Sequence, residues 1–347
     1  MYEFDFMITG IGSVPFLDMD ETCLLIKENF PNMPFWPQFV KRSPYEDMII
    51  QFSEGIPFLR VSEEKRAVFA IKSNSPEKEL TCFYESFFSE DLSGFRISKE
   101  YAPGLYKMVE LVSDSDAPFI KGQTVGPITF AGSIKDQQGR AVIGDSELMD
   151  VCTKGIAMKG LWQVRKLKES GKKAVLFLDE PYLASIGSAF STISKDKVVE
   201  SLREVITYIK EREEVLLGIH CCANTDWSII ISAGPDIISF DAFGYMDHFL
   251  LYKDEILSFL KDGGNIAWGI VPTTDSDFEE ADTDKLFKSL IKGLETIVEW
   301  GVDFKEVSAR SLLTPSCGMG TMKPENARKA ISILVEIFNK VLKNSLG

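Results

Sequence analysis

The sequence is poor in histidine, with two in 347 residues, and it lacks basic clusters, apolar runs of membrane length and breaks in composition. Each shortage excludes something. With 38 Lys and Arg against 52 Asp and Glu, a formal charge of −14 leaves no basic footprint for nucleic acid or an anionic lipid surface. No apolar stretch approaches the roughly 20 residues that a spanning helix needs. The start Met1-Tyr2-Glu3-Phe4-Asp5-Phe6 has neither the basic beginning nor the apolar centre of a secretion signal. The expectation is a cytoplasmic protein without membrane or nucleic-acid partners. Six cysteines in that setting read as reduced thiols or metal ligands rather than a disulfide framework. No repeat, low-complexity tract or long linker divides the chain, so residues 1–347 read as one domain.

What is present is alternation. Short apolar runs at 7–13, 119–126, 174–179, 215–221, 237–241, 266–271 and 311–314, with a weaker one at 56–61, are separated by longer amphipathic segments. Among these, 196–211, 283–300 and 324–346 read as helices, the last with proline in its first turn. Eight strands in a βα alternation fit an α/β fold, a TIM (β/α)8 barrel. Segment 29–54, rich in proline and aromatics, reads as an N-terminal elaboration forming a lid over the barrel mouth. The acidic stretch 275–284 reads as a solvated loop and helix start.

In such a barrel the chemistry lies at the C-terminal ends of the strands. The run Val215-Leu216-Leu217-Gly218-Ile219 ends in His220-Cys221-Cys222, and strand alternation puts His220 and Cys222 on one side and Cys221 on the other. With Cys317 from the last strand end they make a three-ligand set for Zn²⁺, which favours imidazole and thiolate and keeps a fourth position for substrate. Cys23, Cys82 and Cys152 have no paired spacing and read as packing residues.

Further motifs accompany this set: Ile11-Gly12-Ser13, Asp47-Met48, Gly126-Pro127-Ile128-Thr129, Asp179-Glu180-Pro181, Ser239-Phe240-Asp241 and Pro315-Ser316-Cys317-Gly318. In this order the chain resembles the superfamily of cobalamin-independent methionine synthase and uroporphyrinogen decarboxylase. It is most similar to the zinc-binding C-terminal barrel of the synthase and its short stand-alone forms. The resemblance implies a zinc-dependent thiol methyltransferase in which His220, Cys222 and Cys317 hold the metal and activate the thiol of homocysteine, giving methionine. It implies that Asp179 grips the acceptor's amino group and that the Gly12-Ser13 turn binds its carboxylate. Asp241, where the family carries glutamate, is either the fourth ligand or a strand-end carboxylate capping the next helix.

Two departures qualify the match. Where the family has an acidic residue before the Asp47-Met48 pair, this chain has Val40-Lys41-Arg42. Arg42 therefore reads as a substrate-binding residue for a more anionic thiol, with Glu46 or Glu54 as substitutes for the missing carboxylate and a surface role as the other choice. These 347 residues leave no room for the family's further N-terminal barrel, which helps bind the folate donor, so the donor expected is a corrinoid on a partner protein, with folate as the alternative. Phe35, Trp36 and Trp268 read either as an apolar docking surface for that partner or as core. A porphyrin decarboxylase, and a non-catalytic zinc or corrinoid carrier, are the competing functions.

Overall fold

A computed structural model describes residues 3–186, 193–279 and 281–345. Its ten strands are, in chain order, β1 Met7–Ile8, β2 Leu59–Ser62, β3 Ala67–Ala70, β4 Phe119–Val125, β5 Lys135–Asp136, β6 Lys173–Asp179, β7 Leu216–Cys221, β8 Ile237–Phe240, β9 Asn265–Val271 and β10 Ser311–Pro315. Seven of them form one sheet in the order β1-β10-β9-β8-β7-β6-β4, with every pairing parallel. Sequential parallel neighbours joined by helices are the winding of an α/β barrel. The expected fold class is thereby observed.

The eighth position is filled differently from the expectation. Run 56–61 does not join the barrel. Its residues Leu59–Ser62 pair antiparallel with β3, and β3 pairs with β5, in a separate three-stranded sheet. The gap between β1 and β4 is spanned instead by residues 32–38, the first part of the segment read as a lid. Trp36 N–H donates to the Lys121 carbonyl and Lys121 N–H to that of Pro34, while Gln38 N–H donates to Gly12 and Val14 N–H to Gln38. Pro34 and Pro37 lack the N–H a ladder needs, so this wall makes only isolated parallel bridges, at Phe35–Lys121 and Ser13–Gln38. From Gln38 onward the segment reaches the mouth, where Val40, Asp47 and Met48 also line the cavity.

Two hydrophobic cores explain which side chains face inward. A small cluster of Phe4, Met33, Phe119, Val175, Phe177, Ile237 and Leu312 fills the lower barrel interior. The larger cluster packs strands against the surrounding helices. Because strand side chains alternate, Lys121 and Gln123 share the inward face of Phe119, Asp179 shares that of Phe177, and Thr314 that of Leu312. The barrel is therefore apolar at the bottom and polar at the top. Phe35, Trp36 and Trp268 are fully buried, which settles their place in the core and removes them as a docking surface. The Trp36 and Trp268 indole N–H groups donate to Gln163 and Ser311 at 2.8 and 3.0 Å.

The helices at 196–211, 283–300 and 324–346 appear as Lys195–Lys210, Thr283–Glu299 and Pro324–Ser345; Leu346 and, in the acidic stretch, Glu280 lie outside the described residues. Among the described residues no helix is long and apolar enough to cross a membrane.

Candidate metal centre

His220 is the next-to-last residue of β7, Cys222 comes directly after that strand, and Cys317 lies two residues beyond β10. The two thiols and the imidazole bring their ligand atoms within 4.8 Å of one another. His220 is only 2% exposed, and its Nδ1 lies 2.9 Å from Ser239 Oγ on the neighbouring strand. Its Nε2 is buried and has no partner among the described residues. Leaving a buried polar nitrogen unsatisfied costs about 1–3 kcal/mol. A metal ion on Nε2 would remove that cost, and the hydroxyl on Nδ1 orients the ring as second-sphere partners of ligating histidines do. By donor type and spacing the three residues fit a thiolate-preferring ion.

Electrostatics point the same way. The Cys317 thiol aimed at Cys222, and after it His220, hold Cys222 at a pKa of about 4 against the opposing effect of burial. Cys317 is pushed up, first by that same contact and then by desolvation. The contact between the two thiols thus favours ionisation at Cys222 over Cys317. Cys221, by contrast, is wholly buried on the other face, and burial pushes its thiol up to about 12. Cys23 and Cys152 are buried as expected, whereas Cys82 is exposed.

The turn carrying Cys317 is clamped by the start of the chain. Met319 N–H donates to the Ser13 carbonyl at 2.9 Å and Gly320 N–H to Ser13 Oγ at 3.2 Å. A Cβ on Gly318 would fall 2.1 Å from Ser13 Oγ, so only glycine fits that contact. Ser13 lines the cavity. Gly12 stands behind it, packed on Gln123, with its carbonyl taken by Gln38.

The cavity occupies about 550 Å³ at the C-terminal ends of the strands and is lined by His220, Cys222, Cys317, Asp179, Asp241 and Ser13 among others. Asp179 is 9% exposed, and its Oδ1 is buried without a partner among the described residues. Burial raises its pKa to about 6, opposed by His220 and then Lys121. Asp241 caps helix Ala242–Phe249 through a 2.8 Å bond from Gly244 N–H to Oδ1, and it does not belong to the compact ligand group. Burial raises it to about 6 as well. The capping role is therefore what the structure displays for Asp241.

Arg42 does not line the cavity. Its Nε is paired with Glu46 Oε1 at 2.9 Å, and its guanidinium lies over Phe39. Glu46 is fully buried and also accepts from Phe39 N–H, and Glu54 accepts from Ser98 N–H, so neither carboxylate replaces the family's acidic residue in the cavity. The i,i+4 spacing of Arg42 and Glu46 was the sequence signal for this local pair.

Two residues to which the sequence reading gave no role complete the picture. Lys121 is fully buried below the cavity, donates to the Ile11 carbonyl at 2.7 Å and lies over the Phe177 ring. Burial lowers its pKa to about 7. Glu180 is also fully buried, and its carboxylate accepts from Ile128 and Thr129 N–H and from Thr129 Oγ1 at 2.6–2.9 Å. It thus caps helix Pro127–Ser133, which ties together the motifs containing Gly126-Pro127 and Asp179-Glu180 and gives Glu180 a structural role.

Fold and cavity together define an α/β barrel protein with a candidate metal centre at the barrel mouth. No family model and no curated protein matches the sequence. Among solved structures, the chain is similar to a Listeria monocytogenes protein provisionally assigned as a vitamin-B12 independent methionine synthase, at 12% identity and a TM-score of 0.53, over 93% of this chain and 85% of that one. The likeness is one of fold. A GH113 beta-mannanase from Alicyclobacillus acidocaldarius (11% identity, TM-score 0.38, 69% and 78% coverage) and the SacUVDE structure (13%, 0.37, 95% and 99%) lie too far away to carry any argument.

Proposed function

We propose that the chain is a zinc-dependent thiol S-methyltransferase whose acceptor is a small aminothiol of the homocysteine kind. The observation that carries this reading is the group of His220, Cys222 and Cys317 at the barrel mouth, whose ligand atoms lie within 4.8 Å of one another and include a buried, unpartnered Nε2. The Listeria protein's provisional assignment agrees with it at the level of architecture. Zinc held there would supply one service: keeping the acceptor sulfur as a thiolate at neutral pH, where a free thiol of pKa near 8.5 is only about 3% ionised.

The chain's own residues do the rest. Ser239 holds the imidazole by Nδ1, which leaves Nε2 as the atom that would hold the metal. Ser13 keeps the Cys317 turn in place. Asp179, which lines the cavity, offers its carboxylate to the acceptor's ammonium, a charge-assisted contact that orients the sulfur for in-line attack. In the transfer the thiol proton leaves to solvent, the sulfur forms the S–CH₃ bond, and the donor keeps the electron pair of the bond it gives up. The donor in this reading is a methyl corrinoid on a partner protein, or else a methylfolate.

A porphyrin decarboxylase needs cations to grip the substrate's carboxylates, and among the described residues no lysine or arginine lines this cavity. The test is a metal-loaded preparation given homocysteine with methylcobalamin or methyltetrahydrofolate. Methionine should form, and Cys317→Ser should abolish it. Absence of transfer from both donors by fully loaded protein would overturn the reading and leave a metal carrier.

A further inference from the structure

One lysine is buried where an apolar side chain would pack. Lys121 faces into the barrel from β4, two residues beyond Phe119, and none of it is exposed. Taking an ammonium out of water is costly unless the group finds partners. Its Nζ lies 4.4 Å from the centre of the Phe177 ring and donates to the Ile11 carbonyl at 2.7 Å.

That bond is the first link of a chain that ends at the metal centre. The carbonyls of Ile11, Gly12 and Ser13 accept from three separate parts of the molecule: the Lys121 ammonium, Gln38 N–H of the wall segment at 3.0 Å, and Met319 N–H of the Cys317 turn at 2.9 Å. Ser13 Oγ adds the bond from Gly320 N–H. Between them Gly12 lies tight against β4, where a Cβ would fall 2.6 Å from Gln123 Cδ, and Gln123 is itself tied to the Trp36 carbonyl at 3.1 Å. Cys317, unlike His220, is not on a strand, so its place depends on what holds its turn. Ser316 N–H on Val271 holds the near side at 2.8 Å, and Ser13 holds the far side.

We propose that Lys121 is a positioning residue for the metal centre: by holding the Ile11 carbonyl it fixes residues 11–13, and through Ser13 it keeps Cys317 within reach of His220 and Cys222. This rests on the metal part of the proposed function and not on methyl transfer. Other roles for the lysine give different signs. If Lys121 served only as counter-charge to Asp179, which attracts it, removing a cation near a dication would tighten metal binding or, once Asp179 took up a proton, leave it as it was. If it served only as packing, stability would fall and affinity would stay. Positioning alone loosens the metal.

The experiment measures zinc affinity of the full chain by competition with a chromophoric chelator, with cobalt(II) spectra reporting thiolate ligation. Lys121→Met, which keeps the stem and removes the ammonium, should loosen zinc at least about tenfold, as loss of a ligand's outer supports does, and should weaken the thiolate-to-cobalt band. Lys159→Met is the comparison. It removes another fully buried ammonium that donates to a carbonyl, that of Arg96 at 3.0 Å, but does not line the cavity, and it should leave affinity unchanged. Lys121→Met with Ser13→Ala should lose less than the product of the separate losses, because both act on one path; with Ser239→Ala the losses should multiply. Should Lys121→Met fail to fold, Lys121→Gln, too short to reach Ile11, is read the same way. Zinc held as tightly or more tightly than by wild type, or an equal loss in Lys159→Met, would overturn the proposal. Loosened zinc in a protein that transfers no methyl group would support the positioning role and sink only the transferase reading; a wild type that takes up no zinc would sink both.

Discussion

At the scale of single residues, the centre depends on side chains whose roles differ although their positions are adjacent. Cys222→Ser or Cys317→Ser should remove most bound zinc, measured by elemental analysis, while Cys221→Ser should retain it because that thiol faces the outer core. Ser239→Ala should leave the three ligands in place and weaken metal binding by about 10–100-fold, the usual effect of removing a ligand's orienting partner; competition with a chromophoric chelator would measure it, and unchanged affinity would show that Ser239 does not orient the ring. The grouping of His220, Cys222 and Cys317 was legible in the sequence because ligand types recur at strand ends with alternating spacing. Lys121 was not. In the run Phe119-Ile120-Lys121-Gly122-Gln123 a polar inward face has the same period as a solvent-facing one, and only the position of the strand decides between them. Arg42 misled because its charge was read apart from its neighbour Glu46.

At the scale of elements, segment 32–38 shows how a strand position can be missed. Its prolines read as loop, and it functions as barrel wall because the few N–H groups between them find carbonyls on both sides. Trp36→Phe should therefore cost about 1–3 kcal/mol of stability by leaving Gln163 Oε1 without its indole donor, checked by urea unfolding; a variant as stable as wild type would mean that the bond does not contribute. Helix Ser146–Lys168 gives a pH test through Lys159, which donates to the Arg96 carbonyl and whose burial lowers its pKa from 10.5 to about 7. Between those values the unfolded chain binds the extra proton, so this residue makes stability rise with pH across the window, by at most about 1.4 kcal/mol per unit. Wild type minus Lys159→Met should show that slope, and parallel pH–stability curves would refute it.

At the scale of the whole molecule, barrel winding was legible from the alternation of apolar runs, while the identity of the eighth wall and the separate small sheet were not, since both are set by long-range pairing. The two-tier interior has a further consequence for traffic. Phe4, Met33, Phe119 and their neighbours plug the lower barrel, so the mouth serves as the way in and out past the candidate metal centre. Two reactants using one doorway must queue. In the proposed transferase the acceptor, having to reach the metal and Asp179, would go in first, the methyl donor would close the passage behind it, and the spent donor would depart before the thioether could leave. Initial-rate kinetics should then show compulsory order with the thiol leading, and the thioether product should compete with the thiol alone.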